Sequence, residues 1–463
     1  MPKGPDRQVV AILLRSAIPI QEIEPLLTGR KIVKRMDAWK EGWQGPSLVV
    51  EFRPEVNGRR MREERRRDMS LRKLWLILLG LALLLGCGAK PDSATEAFDK
   101  GLSCLAAGNL DSAIVAFTEA IRLNPKLAEA YSNRGVAYGE KGERDKEIAD
   151  YTEAIRLNPR FADAYNNRGC AYKQKREYDK AIADHTEAIQ LKPEFAEAYY
   201  NRGDAYANKG EWDDVIADHT EAIRLSPKLV EAYYNRGAAY TRKGELEKAI
   251  ADYTEAIRLN PRFAEAYNNR GKAYDQKREY DKAIVDHTEA IRLSPKLADA
   301  YYNRGVANAN KGEWDNVIAD CTEAIRLNPR FAEAYYGRGA AYTRKGELEK
   351  AIADYTEAIR LNPKDADAYC GRGGAYAIKG EWDRGIADCT EAIRLKPGFA
   401  GAYYNRGVGY QEKGEKVKAE EDLTQAKKLG YQAIPWAGDS VSREPAPPAG
   451  DSVSREPAAQ DAS

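Results

Sequence analysis

In residues 230–263, "VEAYYNRGAAYTRKGELEKAIADYTEAIRLNPRF", the apolar positions form two separate helical stripes. Tyr233, Gly237 and Tyr240 stand at helical spacing in the first half. Leu246, Ala249, Ile250, Tyr253, Ala256 and Ile257 line one face of the second. Between them Lys243-Gly244 predicts a turn, because glycine accepts backbone angles that strain other residues. Asn260-Pro261 predicts the end of the second helix, since proline disfavours helical geometry in the residue before it. The pattern is therefore helix, turn, helix.

The same pattern recurs along most of the chain. Prolines stand at 125, 159, 193, 227, 261, 295, 329, 363 and 397, every interval being 34 residues. Counted from Ala94, ten such units fill 94–433, or 340 of the 463 residues. One helix pair cannot bury its stripe alone, so tandem units must stack on their neighbours. A longer period lies above the first. "KREYDKAI" occurs at 175 and 277 and "TRKGELEKAIADYTEAIRLNP" at 241 and 343, both offsets being 102 residues, or three units.

The unit resembles the tetratricopeptide repeat, whose pattern runs W-x₂-L-G-x₂-Y, then A-x₃-F, then P. Tyr233 stands in the tryptophan place, and Gly237, Tyr240, Ala249, Tyr253 and Pro261 match in order. Arg236 departs from the usual leucine, and arginine holds that place in nine units, from Arg134 to Arg406. Its guanidinium either emerges at the edge of a groove or pairs with an acidic neighbour. The resemblance implies an all-α fold, a right-handed superhelical solenoid of about ten helix-turn-helix repeats with a concave inner surface.

In that family the first helix of each unit faces the ligand. The sixth place of the unit reads Asn133, Asn167, Asn201, Asn235, Asn269 and Asn303 in succession, and Asn405 in the last. Asparagine is a poor helix former, so a row of it inside helices needs a reason. Its amide offers a donor and an acceptor and can hold an extended peptide backbone, as asparagine ladders do in related superhelices. The alternative is that repeat copying carried a harmless polar residue along. The fifth place supplies Tyr200, Tyr234, Tyr302, Tyr336 and Tyr404, alternating with Asn166 and Asn268. Those tyrosines either give a binding surface rigid contact area or cover the neighbouring helix. The second place is Glu or Asp in eight units, Glu129 to Asp367, where a carboxylate complements the helix dipole. Acids there oppose the lysine-based clamp with which some relatives grip carboxylate termini.

Upstream of the array, "MSLRKLWLILLGLALLLGCGAK" begins at Met69. Arg72 and Lys73 precede an apolar run from Leu74 to Gly86, the outline of a secretory signal. As a helix that run reaches only about 20 Å, short of the roughly 30 Å hydrocarbon core. Leu84-Leu85-Gly86-Cys87 resembles the lipobox of bacterial lipoproteins. The resemblance implies that the Cys87 thiol receives a diacylglyceryl group and that cleavage leaves Cys87 as the first residue. The implied organisation is a signal peptide at 69–86, a linker at 87–93, the array at 94–433 and a disordered tail at 434–463. The tail, rich in Pro, Ser and charge, repeats "AGDSVSREPA" and lacks the apolar residues to order itself. Residues 1–68 show no repeat and are read as an extension ahead of a true start at Met69 or Met61. A cytoplasmic segment before an internal anchor is the competing view.

Charge narrows the function further. The 73 basic and 72 acidic side chains leave a net charge of +1, against a dedicated nucleic-acid binder. Six cysteines without a C-x-x-C pair give neither a disulfide framework nor a zinc site. His185, His219 and His287 share one register of the second helix with Tyr151, Tyr253, Tyr355, Phe117, Cys321, Cys389 and Leu423, which reads as a core aromatic slot. No phosphate loop, nucleophile elbow or insertion interrupts the array, so neither catalytic nor metal-binding residues, nor any cofactor, are expected. Glu420 and Lys427 replace isoleucines in the last unit and read as a charged cap that keeps the chain monomeric. The expected protein is a membrane-anchored lipoprotein of the bacterial envelope, at the periplasmic side of the outer membrane. It would serve as a scaffold for partner proteins or extended peptides. The rivals are an outer-membrane assembly factor resembling pilotins and a soluble cytoplasmic scaffold.

Overall fold

A computed structural model describes Val9–Ile12, Leu48–Glu51 and residues 93–431. The signal peptide, Cys87 and the tail beyond Tyr431 lie outside the described residues. So does the extension 1–68, apart from one feature that helical periodicity does not anticipate. Val9–Ile12 and Leu48–Glu51 pair as antiparallel strands, Val9 opposite Glu51 and Ile12 opposite Leu48.

Everything else described in regular structure is helical, twenty helices between Ser93 and Lys428. The unit analysed above ends its first helix, Val230–Arg242, at the predicted turn, and its second runs Leu246–Leu259. Gly244 sits at φ +74°, a conformation that favours glycine. Asn260 closes the second helix by donating its backbone N–H to the Ala256 carbonyl, directly before Pro261. Alanines fill the contact between helices: Ala232, Ala239, Ala249 and Ala256 are all buried. Small side chains let the helix axes approach closely, and one large ring per repeat fills the remaining space, as Tyr253 does here.

The chain divides into two compact units, 1–201 and 202–463, with the boundary inside Ala196–Lys209, the first helix of repeat 4. In the first unit each helix from Ser93–Ala106 to Tyr178–Leu191 packs on the next. In the second the same holds from Trp212–Leu225 to Lys416–Lys428. Within each unit, first helices of successive repeats also touch one another, and second helices do not. The first-helix face is therefore the inner one.

Two turns break the glycine rule. Repeats 3 and 6 carry Arg176 and Arg278 at φ 60°, where eight other repeats have glycine at φ +74° to +78°. A left-handed conformation costs an L-residue about 1–2 kcal/mol, against about 0.5–1 kcal/mol of extra chain entropy for glycine. The double substitution Arg176→Gly with Arg278→Gly is thus expected to stabilise the protein by about 0.5–1 kcal/mol per site, read as a higher thermal midpoint. An unchanged or lower midpoint would mean that the arginine side chains compensate for the strain.

In the last repeat Glu420 and Lys427 are exposed on the final helix, whereas their counterparts in repeat 5, Ile250 and Ile257, are half-buried and buried.

Candidate functional site

The arginine that departs from the family pattern turns inward to an acid. Arg236 donates Nε to Asp252 Oδ2 and Nη2 to Asp252 Oδ1, each at 2.7 Å. Its Nη1 donates to Thr220 Oγ1 of the preceding repeat at 2.9 Å, and its guanidinium lies over the Tyr233 ring. The Asp252 side chain is 8% exposed. The same arginine–aspartate pair, 16 residues apart, recurs in every repeat from Arg134–Asp150 to Arg406–Asp422. Of the two sequence readings, the pairing one holds. A second ladder joins repeats at the turns, where Lys141, Lys175 and Lys243 each reach an aspartate of the preceding repeat, Asp111, Asp145 and Asp213.

The asparagine row lies on the inner, first-helix face, and most of its amides bond to the preceding repeat. Asn201 Nδ2 donates to Asn166 Oδ1 (3.1 Å), Asn269 to Tyr234 Oη (2.9 Å) and Asn303 to Asn268 Oδ1 (3.1 Å). Asn405 donates to Cys370 Sγ at 3.6 Å, and Asn235 to Asp204 Oδ1 at 2.9 Å. Asn133 bonds back to the Glu129 carbonyl of its own helix. Asn201 and Asn405 are buried, whereas Asn133, Asn167, Asn235, Asn269 and Asn303 remain half-exposed. The row breaks at Gly337 and Gly371. A Cβ at position 371 would stand 2.7 Å from the Tyr355 ring.

The tyrosine row fills the seams between helices. Tyr234 packs its ring 4.8 Å from Phe263 and 5.9 Å from Tyr253. Tyr302 meets Phe331 at 5.0 Å, Tyr336 meets Tyr355 at 5.8 Å, and Tyr404 stacks on Tyr431 at 4.4 Å. Tyr200 is half-exposed. The rings therefore cover neighbouring structure and expose only part of their surface. At the second place Glu129, Asp163, Glu197, Glu231 and Glu265 are exposed, and Asp367 is buried.

His185, His219 and His287 are fully buried in the slot that Tyr253 and Tyr355 fill elsewhere, as their register implies. Cys321 and Cys389 occupy it in repeats 7 and 9. Burial pushes the Cys321 and Cys370 thiols up to about 12, leaving them protonated and poor nucleophiles at neutral pH. No group of three metal-ligating side chains converges among the described residues. Sequence reasoning missed the acceptors: Asn166, Asn268, Asp204, Cys370 and the Tyr234 hydroxyl. The available signal was pairwise, since Asn at the fifth place accompanies His 19 residues later in repeats 3 and 6.

Residues 101–142, 203–244, 238–278 and 339–380 match a model of the TPR repeat. Models of the tetratricopeptide repeat match 162–195, 264–297 and 298–331, and also 128–161 and 321–353. Among solved structures, MamA protein is 28% identical, over 37% of this chain and 94% of its own, with a TM-score of 0.34. YrrB, described as a TPR protein with an unusual peptide-binding site, is 24% identical over 42% and 97%, TM-score 0.36. Pseudomonas aeruginosa pilF is 20% identical over 45% and 94%, TM-score 0.41. The matched segments together fill 101–195 and 203–380, more than half of the sequence, and coincide with the packed helix pairs. The chain belongs to the tetratricopeptide repeat family.

Proposed function

We propose that this protein is a lipid-anchored scaffold of the bacterial cell envelope that holds extended peptide segments of partner proteins against its first helices. One observation carries the scaffold reading: first helices touch their successors and second helices do not, so the half-exposed asparagines share the inner face of each unit. Asn269 and Asn303 each spend one N–H on the preceding repeat, and a side-chain amide carries a second N–H and a carbonyl oxygen besides. Those groups suit the alternating donors and acceptors of an extended backbone and read no side chains, so the ligand is an unstructured segment of varied sequence. Protonated core thiols and buried histidines favour a binding role over a catalytic one.

The anchor rests on Leu84-Leu85-Gly86-Cys87 and the basic residues before it. Two or three acyl chains on Cys87, at about 0.8 kcal/mol per buried CH₂, hold a protein stably on a bilayer where one chain does not. Cys87→Ser is expected to abolish metabolic labelling with palmitate and to leave an unprocessed precursor. Mass spectrometry of the wild-type protein should find a first residue at position 87 bearing acyl chains. A wild-type chain with residues 69–86 intact and no label would overturn the anchor and leave a soluble scaffold.

A further inference from the structure

The chain leaves the last repeat at Tyr431, and it leaves on the side of the inner face. Gly430, at φ +84°, ends the final helix in the left-handed region. The Tyr431 N–H then donates to the Ala426 carbonyl at 2.9 Å, which fixes the direction of exit. The Tyr431 ring stacks on Tyr404, the fifth-place residue of repeat 10, at 4.4 Å. In repeats 5 and 7 Phe263 and Phe331 meet Tyr234 and Tyr302 at 4.8 and 5.0 Å, and each stands directly before a first helix, Ala264–Gln276 and Ala332–Arg344. Tyr431 therefore marks the point from which a further first helix would start, and first helices form the inner face.

The sequence after Tyr431 is apolar before it becomes charged. Residues 432–436 read QAIPW, without a charge, and the Pro-, Ser- and charge-rich stretch begins at Ala437. Near the exit the inner face offers a matching surface. Ile378 closes the first helix of repeat 9, Ala366–Ile378, and is 41% exposed. It stands seven residues after Gly371, the sixth place of its repeat, hence on the face of the asparagine row. In neighbouring repeats that register is polar: Arg242, Gln276, Asn310, Arg344 and Glu412. Val408 of repeat 10, three residues after Asn405 on the same face, is half-exposed. The other exposed large apolar side chains among the described residues, Val115, Val285, Val417 and Leu429, lie on or at the end of second helices.

We propose that the segment Ala433–Trp436 docks on the inner face of repeats 9 and 10, with Trp436 against Ile378 and Val408, as an internal occupant of that end of the face. The reach is sufficient. From the fifth place to the thirteenth is about 12 Å along a helix, and one first helix across is about 10 Å, so the path is about 16 Å. The five residues from Tyr431 to Trp436 span up to about 17 Å when extended. Pro435 suits such a path, since it holds φ at about −65° and has no N–H to strand on an apolar surface. The end face that an eleventh repeat would cover carries Glu420 and Lys427, which disfavours an apolar segment there. So short a connection gives the segment an effective concentration on the order of millimolar, and a weak contact is then enough to hold it. A partner peptide has to displace the segment before it lies across repeats 9 and 10. That consequence rests on the scaffold reading, whereas the docking itself does not.

Fluorine NMR of the full-length protein labelled with 5-fluorotryptophan tests the docking, with Trp436→Phe identifying the Trp436 signal by its loss. In the wild type that signal should stand apart from the signal of a synthetic peptide of residues 432–440 carrying the same label. Ile378→Glu and Ile378→Asn copy Glu412 and Asn310 at the same register, so the array already accommodates both side chains. Each should return the signal to the peptide position while the circular dichroism spectrum stays unchanged. Leu429→Lys, at the end of the last helix, should leave the signal where it is. A wild-type signal already at the peptide position would overturn the docking. So would a displaced signal that both Ile378 variants leave unmoved, or one that Leu429→Lys alone releases.

Discussion

Replacing Arg236 by alanine is expected to destabilise the protein by about 3–5 kcal/mol, the cost of leaving a buried partner charge uncompensated. Asp252 is almost wholly enclosed and both its oxygens take their bonds from this one guanidinium. The double substitution Arg236→Met with Asp252→Leu should recover most of the loss, because removing both charges also removes their desolvation cost. Asp252→Asn should lie between, since an amide accepts one guanidinium bond and turns an N–H toward the other. Urea unfolding followed by circular dichroism measures all three. Equal destabilisation by single and double substitutions would show that packing of the arginine stem and its Thr220 contact, rather than charge pairing, holds the repeat.

The arginine row was legible in the sequence, where its guanidinium was read either at a groove edge or beside an acid, and the structure decides for the acid. Arg134 to Arg406 mark one register and Asp150 to Asp422 another, 16 residues on, in nine of the ten repeats. The helix boundaries were equally legible, because Lys243-Gly244 and Asn260-Pro261 are local signals that act through backbone geometry alone. The core slot of His185, His219 and His287 followed from register with Tyr253. What periodicity could not supply was direction. The asparagine row is legible as a row, but Asn201, Asn235, Asn269, Asn303 and Asn405 each bond to a residue 31 to 35 positions earlier. That partner changes between Asn, Tyr, Cys and Asp, so no single repeated pair announces it. The tyrosines were ambiguous for the same reason. Tyr234 and Tyr302 meet Phe263 and Phe331 at the start of the next repeat, a contact set by inter-repeat geometry. Strand pairing between Val9–Ile12 and Leu48–Glu51 joins residues too far apart for a local pattern to register.

These inter-repeat bonds change the outcome expected when Asn201, Asn235 and Asn269 are replaced together by alanine. Helix propensity alone favours the change by at most about 0.7 kcal/mol per site, roughly 2 kcal/mol in total. Against that, each asparagine donates to the preceding repeat, and a typical bond contributes about 0.5–1.5 kcal/mol, roughly 3 kcal/mol for three. The triple variant should thus be about 1 kcal/mol less stable than wild type, a small shift for a protein of this size. Ligand affinity should fall much further. If each amide also pairs with an extended peptide, each loss leaves buried backbone groups unpaired at about 1–3 kcal/mol. Three such losses weaken binding at least about a hundredfold, since 1.4 kcal/mol is a factor of ten. Calorimetry with peptides selected from an unstructured library against residues 90–433 would read affinity and melting on one preparation. A hundredfold loss of affinity in a protein still folded assigns the row to ligand holding as well as bracing. Unchanged affinity with the small loss of stability would leave the asparagines as braces between repeats and move the peptide site elsewhere on the inner face.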